Sequence, residues 1–284
     1  MANIRTLSDY ASSPPRGSSA LEGEVGQGGS PLPLFFPSGT QSGENVSWIQ
    51  WLCPGIHLKS PIIIISFVQI AVYIASLAAG LAPNEILAPT PQTLVMFGAN
   101  IPELIRVGEI WRLICPLFLH LNLFHILMNL WVQIRIGLTM EEKYGWKMLL
   151  AVYFGVGVLA NMISAAVLFC GQQMKAGAST AVFALIGVQL AELALIWHAI
   201  QDRNSAIISV CICLFFVFVS SFGSHMDSVG HIGGLVMGFA AGIWLNENSD
   251  IKPTWYDRAR LTSQVALAAA PILSCIFIFL VPRC

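Results

Sequence analysis

A serine stands at the head of "GASTAVFALIG", residues 177–187, two residues past a glycine and in front of a run apolar enough to sit inside a membrane. A hydroxyl in lipid is costly unless it is hydrogen-bonded. Ser179 therefore either bonds back to a carbonyl one turn earlier and packs at a helix contact, or it is there to react. Gly177 permits unusual dihedrals and close backbone approach. The helix N-terminus leaves unpaired N–H groups at a positive dipole end, which is what a developing oxyanion needs. His231, in "GHIGGLVMGFAAG", is either a hydrogen-bonded structural residue or a functional one, the default for an ionisable group at membrane depth. His125 and Asn129, in "HLNLFHILMN", are four apart and share a helical face. They form a structural pair or a set of oxyanion donors. Together these residues suit acyl transfer: histidine takes the serine proton, serine attacks a peptide carbonyl, and N–H donors hold the oxyanion. No acidic residue is placed to orient His231, because Asp227 falls in the preceding loop. Phe183, four residues after Ser179, is positioned to stack on the imidazole. Zinc is the rival reading, with His120, His125 and His231 as ligands. There is no HExxH pattern and no carboxylate beside them, so no metal and no cofactor are expected.

The elements that carry these residues follow from composition. The chain has 284 residues, 56% hydrophobic and 10% charged, against about 25% charged in soluble domains. It belongs in a bilayer. A net charge of −1 gives no field for nucleic acid. None of the seven cysteines has zinc or disulfide-framework spacing, and they read as small apolar fillers. Seven apolar runs are long enough to span: residues 61–82, one within 113–139, then 148–170, 177–199, 204–222, 229–245 and 263–281. The fold class is all-α and polytopic. The second span is expected to start at Asn122 as a cap, leaving "WRLICPLFLHL" to the loop before it and placing Arg135 within reach of cytosolic headgroups. With the N-terminus in the cytosol, ten Lys and Arg fall on the cytosolic side and four on the other, as the positive-inside rule requires. Ser179, His231, His125 and Asn129 then lie at similar shallow depth near the outer face. Gly230, Gly234, Gly238 and Gly242 recur every four residues, a small-residue face for close helix packing. Gly177, Ala181, Ala184 and Gly187 are its small partners.

At these residues the chain resembles the rhomboid family of intramembrane serine proteases. "GASTAVFALIG" is similar to the family's GxSG-type box, "HIGG" to its histidine box and "HILMN" to its HxxxN element. Trp111-Arg112 looks like the WR dipeptide of its first loop, and "GLTMEEKYG", with Glu141, like its GxxxExxxG element. The resemblance implies a six-helix core over residues 61–245, with Ser179 as nucleophile and His231 as general base and acid. It implies an oxyanion hole of His125, Asn129 and the Ser179 N–H. Gly177, Phe183, Gly234, Gly238, Trp111, Arg112 and Glu141 are supporting residues. Thr180 stands where many members have Gly, so packing beside the nucleophile must differ. The Ser-Thr form of the box looks apicomplexan. The implied partners are single-span membrane protein substrates and the lipid bilayer.

The remaining chain divides into a Ser-, Gly- and Pro-rich tail over 1–46, read as disordered and cytosolic, and an interfacial segment at 47–60 with Trp48 and Trp51. A cytosolic linker at 246–262 and a seventh helix at 263–284 follow the core. That seventh helix resembles the six-plus-one arrangement of secretory-pathway members, which implies a Golgi or other secretory-pathway membrane, or the plasma membrane, with a lumenal or extracellular C-terminus. Two other classes compete. A catalytically silent client-binding relative would have lost the serine or histidine. A transporter would show internal repeats and helices broken at mid-membrane.

Overall fold

A computed structural model of the chain describes residues 58–83, 85–167, 174–198, 203–220, 227–246 and 252–281. The tail at 1–46, Trp48 and Trp51 lie outside the described residues. Helix α1 spans Pro61–Ala79, and the short helices α2 (Pro91–Met96) and α3 (Pro102–Arg106) follow in the long first loop. Two 3₁₀ turns, Ile110–Leu113 and Cys115–Phe118, lead to α4, Leu123–Tyr144. Then come α5 (Trp146–Val167), α6 (Ser179–Leu195), α7 (Arg203–Ser220), α8 (Ser228–Leu245) and α9 (Tyr256–Phe279). Helices α1, α4, α5, α8 and α9 are long and apolar enough to cross a membrane, so the protein is an all-α, multi-pass membrane protein. Among the described residues the only β pairings are the isolated bridges Leu81–Pro89 and Asn100–Lys175. The second span starts after Asn122, and "WRLICPLFLHL" lies in the loop.

Helix α6 is 17 residues long and apolar on every side. That pattern marks a central helix rather than an amphipathic one, and nearly all of it is buried. Helix α8 packs directly against it along the glycine face. A Cβ added at Gly238 would sit 2.1 Å from the Ala184 carbonyl oxygen, and one at Gly187 2.3 Å from that of Leu235. The two backbones touch, with only glycine and alanine at the crossing. Contacts step in one direction, Gly234 on Thr180, Gly238 on Ala184 and Gly242 on Val188. Helices α6 and α8 therefore run parallel, and their N-termini share one end of the bundle. At the other end Lys143 of α4 pairs with Glu192 of α6 at 3.1 Å, and Tyr144 bonds both Glu192 and Asn246 of α8.

One charge placement differs from the sequence-based expectation: Arg135 is buried, not at the headgroups. Hydropathy treats a cation near a helix end as interfacial, whereas here neighbouring helices enclose it, and Lys143 and Lys175 are buried too. Helix α9 also begins at Tyr256, inside the segment expected to be a linker. Charged Asp257, Arg258 and Arg260 kept this turn out of the apolar window, but Tyr256 is buried and donates its hydroxyl to the Ile243 carbonyl.

Candidate active site

The site assembles where the first loop, the turn before α6 and the N-terminus of α8 meet. Asn122 caps α4: its side chain accepts the His125 N–H at 2.8 Å. One turn in, His125 is buried, and its Nδ1 accepts the Leu121 backbone N–H at 3.3 Å. A ring nitrogen that accepts carries no proton, so the neutral imidazole holds its hydrogen on Nε2. That Nε2 is buried with no hydrogen-bond partner among the described residues. Asn129, fully buried, donates one amide hydrogen to the His125 carbonyl at 2.8 Å, which leaves its second hydrogen for another acceptor.

The turn before α6 is held from both sides. Asn100 and Lys175 exchange backbone hydrogen bonds at 2.8 and 2.9 Å, and the Gly177 N–H donates to the Pro116 carbonyl at 3.1 Å. Gly177 has φ +150, and a Cβ there would sit 2.8 Å from His125 Cε1 and 3.2 Å from Ser179 Oγ. Glycine is required because the histidine ring and the serine hydroxyl occupy the two sides of that position. The sequence places Ser179 two residues into its helix; it is instead the first residue of α6. Its backbone N–H therefore has no intrahelical acceptor and lies at the positive end of the dipole.

Helix α8 is capped by Asp227, whose carboxylate accepts the Gly230 N–H at 2.8 Å and the hydroxyl of Ser164, on α5, at 2.6 Å. This cap fixes the first turn, and His231 sits in it. His231 Nε2 and Ser179 Oγ are 2.7 Å apart. Phe183 stacks on the imidazole with ring centres 4.6 Å apart and 14° between planes. The ring provides an orienting contact that no carboxylate among the described residues makes. Lys175 is buried on the serine loop. Burial pulls its ammonium pKa down and the charge of Asp227, at the start of α8, opposes this.

Thr180 is accommodated by glycine. Its methyl lies 2.9 Å from where a Gly230 Cβ would be, and its carbonyl 2.4 Å from a Gly234 Cβ. The other supporting residues build the frame. Buried Arg112 bonds Glu109 at 2.6 Å and the carbonyls of Val95 and Ala99 at 2.9 and 3.0 Å, tying the first loop together. Trp111 beside it is half exposed. Glu141 accepts the hydroxyl of Ser60, the N-cap of α1, about 24 Å along α4 from His125 by the helical rise. His120 packs edge-on against His125 at 5.4 Å. Sequence reasoning missed Pro116, Asn100, Lys175 and Ser164 as contributors. A backbone carbonyl and a hydroxyl on a distant helix leave no spacing signal.

A multi-pass helical protein with a serine and a histidine hydrogen-bonded in its interior defines the class. The Rhomboid domain matches residues 107–248. Rhomboid-like protease 1 of Toxoplasma gondii is 37% identical over 229 residues, which cover 80% of this chain and 77% of that protein. Rhomboid-like protease 3 of the same organism is 32% identical over 236 residues, covering 80% and 87%. Rhomboid protease GluP of Bacillus subtilis is 32% identical over 155 residues, covering 53% of this chain and 29% of that protein. The chain belongs to the rhomboid family, a family of intramembrane proteases.

Proposed function

We propose that this protein is an intramembrane serine endopeptidase that hydrolyses peptide bonds in or near the transmembrane segments of single-span membrane proteins. The observation that carries the reading is the 2.7 Å hydrogen bond between Ser179 Oγ and His231 Nε2. His231 Nε2 takes the serine proton as Oγ adds to the scissile carbonyl. The oxyanion is held by the Ser179 backbone N–H, the unpaired Nε2–H of His125 and the free amide hydrogen of Asn129. His231 then gives its proton to the leaving amine, and the acyl group stays on Ser179. Water attacks the ester with His231 again as base. His231 returns that proton to Oγ, and the new carboxyl product leaves.

The topology fits an N-terminus in the cytosol. With buried Arg135, Lys143, Arg112 and Lys175 removed from the count, the remaining Lys and Arg still divide eight to two in that sense. The site then opens toward the lumenal or extracellular leaflet. The helix that follows the core favours a secretory-pathway membrane, with the Golgi first.

The test is labelling with a fluorophosphonate, which only an activated serine attacks. Wild-type protein in detergent is expected to take the probe at Ser179 and to cut a single-span substrate. His231→Ala is expected to slow both by about 10²–10⁴-fold, the range for loss of a general base. A wild type that binds membrane clients but leaves the probe unreacted would be a silent relative and would overturn the proposal. Gly177→Ala is expected to lose about 100-fold in turnover, because the added methyl meets His125 at 2.8 Å and ångström displacements cost that much. Near-wild-type turnover for Gly177→Ala would remove His125 from the oxyanion hole.

A further inference from the structure

Below the site lies a polar cluster that the proposed chemistry does not use. Gln69 of α1, Gln133 of α4 and Tyr153 of α5 are each fully buried in spanning helices. Gln133 Nε2 donates to Gln69 Oε1 at 2.6 Å and to Ser66 Oγ at 2.9 Å. The Tyr153 hydroxyl donates to Gln133 Oε1 at 2.9 Å, and Ser66 donates to the Ile62 carbonyl at 2.7 Å. Gln69 Nε2 donates one hydrogen to Tyr153 at 2.8 Å and the other to the backbone carbonyl of Leu117 at 2.8 Å. Every donor hydrogen in the cluster thus has an acceptor. Two buried glutamines and a tyrosine are costly in lipid unless satisfied in this way, and such closed networks fix a single arrangement.

The bond that leaves the cluster is the informative one. Leu117 belongs to the 3₁₀ turn Cys115–Phe118. The carbonyl of the residue before it, Pro116, accepts the Gly177 N–H at 3.1 Å, and Gly177 sets the spacing between His125 and Ser179. The Leu117 side chain is fully buried in the same core cluster as Ala181, in the first turn of α6. The turn also runs on into Leu121, whose N–H fixes the His125 tautomer. Two adjacent peptide units, joined at the Leu117 Cα, therefore sit between an amide anchored in the membrane interior and both sides of the candidate oxyanion hole.

We infer that Gln69 is a positioning residue for the serine site. Locked by Gln133 and Tyr153, it holds the Leu117 carbonyl and so sets the turn that carries the loops of Ser179 and His125. This rests on the proposed serine chemistry. Loss of the anchor changes where the oxyanion donors stand and leaves the substrate contacts alone, so kcat falls and KM holds. Misplacement on the ångström scale costs up to about 100-fold.

The experiment compares Gln133→Leu/Tyr153→Phe with Gln69→Leu/Gln133→Leu/Tyr153→Phe. The double variant keeps the Leu117 bond but strands Gln69 Oε1 and one Nε2 hydrogen in apolar surroundings. The triple variant removes the polar groups together, which is the cheaper change for stability. The double variant is therefore expected to melt no higher than the triple and yet to turn over faster. The triple is expected to lose about 10–100-fold in kcat and in fluorophosphonate labelling rate, with KM unchanged. A merely structural network makes activity follow melting temperature. Equal kcat in the two variants, or activity that tracks melting temperature across wild type and both, overturns the inference. Should the triple variant not fold, Gln69→Met against Tyr153→Phe makes the same comparison, since both open the circuit and only the first removes the Leu117 bond. Equal kcat and labelling rate in that pair likewise overturns the inference. A wild type that never labels at Ser179 overturns the proposed function, and the inference falls with it. Wild-type labelling matched by the triple variant overturns the inference alone.

Discussion

Ser179→Ala is expected to abolish cleavage of a single-span membrane substrate and all fluorophosphonate labelling, while the protein keeps its fold. The hydroxyl is the proposed nucleophile, and no described side chain can take its place at 2.7 Å from His231 Nε2. Alanine suits the first turn of an apolar helix and removes one polar atom from a buried site, so the melting temperature should move by only a degree or two. The expected loss in kcat/KM is about 10⁴-fold or more, the scale at which other serine enzymes respond to losing a member of the nucleophile–base unit. The double variant Ser179→Ala/His231→Ala should be no worse than Ser179→Ala alone, because the two residues act together and their losses do not add. Comparable turnover for wild type and Ser179→Ala, measured on the same purified substrate with the melting curves overlaid, would falsify the assignment.

Much of this geometry was legible in the sequence because it follows local rules. A serine after glycine at the head of an apolar run, a histidine at the head of a glycine-faced helix, and an asparagine cap ahead of His125 each sit at a helix N-terminus. Composition and spacing place such ends at a common depth. The stacking of Phe183 on His231 follows from the i, i+4 geometry of α6 together with the close approach of α8. What was not legible depends on neighbours far away in the chain. Asp227 caps α8, but the Ser164 hydroxyl that holds it lies on α5. The buried positions of Arg135 and Lys143 depend on which helices close around them, and hydropathy carries no information about that. Gln69 reads as an isolated polar residue in a membrane run until Gln133 and Tyr153 arrive from two other helices.

The parallel pair α6 and α8 determines whether Ser179 and His231 meet at all, and Gly238 is its tightest point. A Cβ there would lie 2.1 Å from the Ala184 carbonyl oxygen and 2.7 Å from its Cα. These are backbone atoms on a central helix, so no side-chain rotation can make room. Gly234 is nearly as tight, 2.4 Å from the Thr180 carbonyl, and it lies one turn below His231. In lipid no hydrophobic force draws helices together, so the contact depends on van der Waals fit. Gly238→Val and Gly234→Val are expected to push α8 off α6, stretching the Ser179–His231 bond beyond hydrogen-bond reach. The cost of such overpacking is about 3 kcal/mol, a fall in melting temperature of roughly 6–12 °C at ~2–4 °C per kcal/mol. Turnover should drop at least about 100-fold. Gly242→Val meets the Ala191 Cβ at 2.6 Å and the Val188 backbone at 2.9 Å, an equally fixed obstacle but a less severe overlap, about 17 Å along α8 from His231 by the helical rise. It should destabilise without matching the loss of turnover of the upper two. Turnover and melting temperature of the three variants in one detergent decide the matter: if Gly238→Val and Gly234→Val keep wild-type turnover, the glycine face does not hold the active site together.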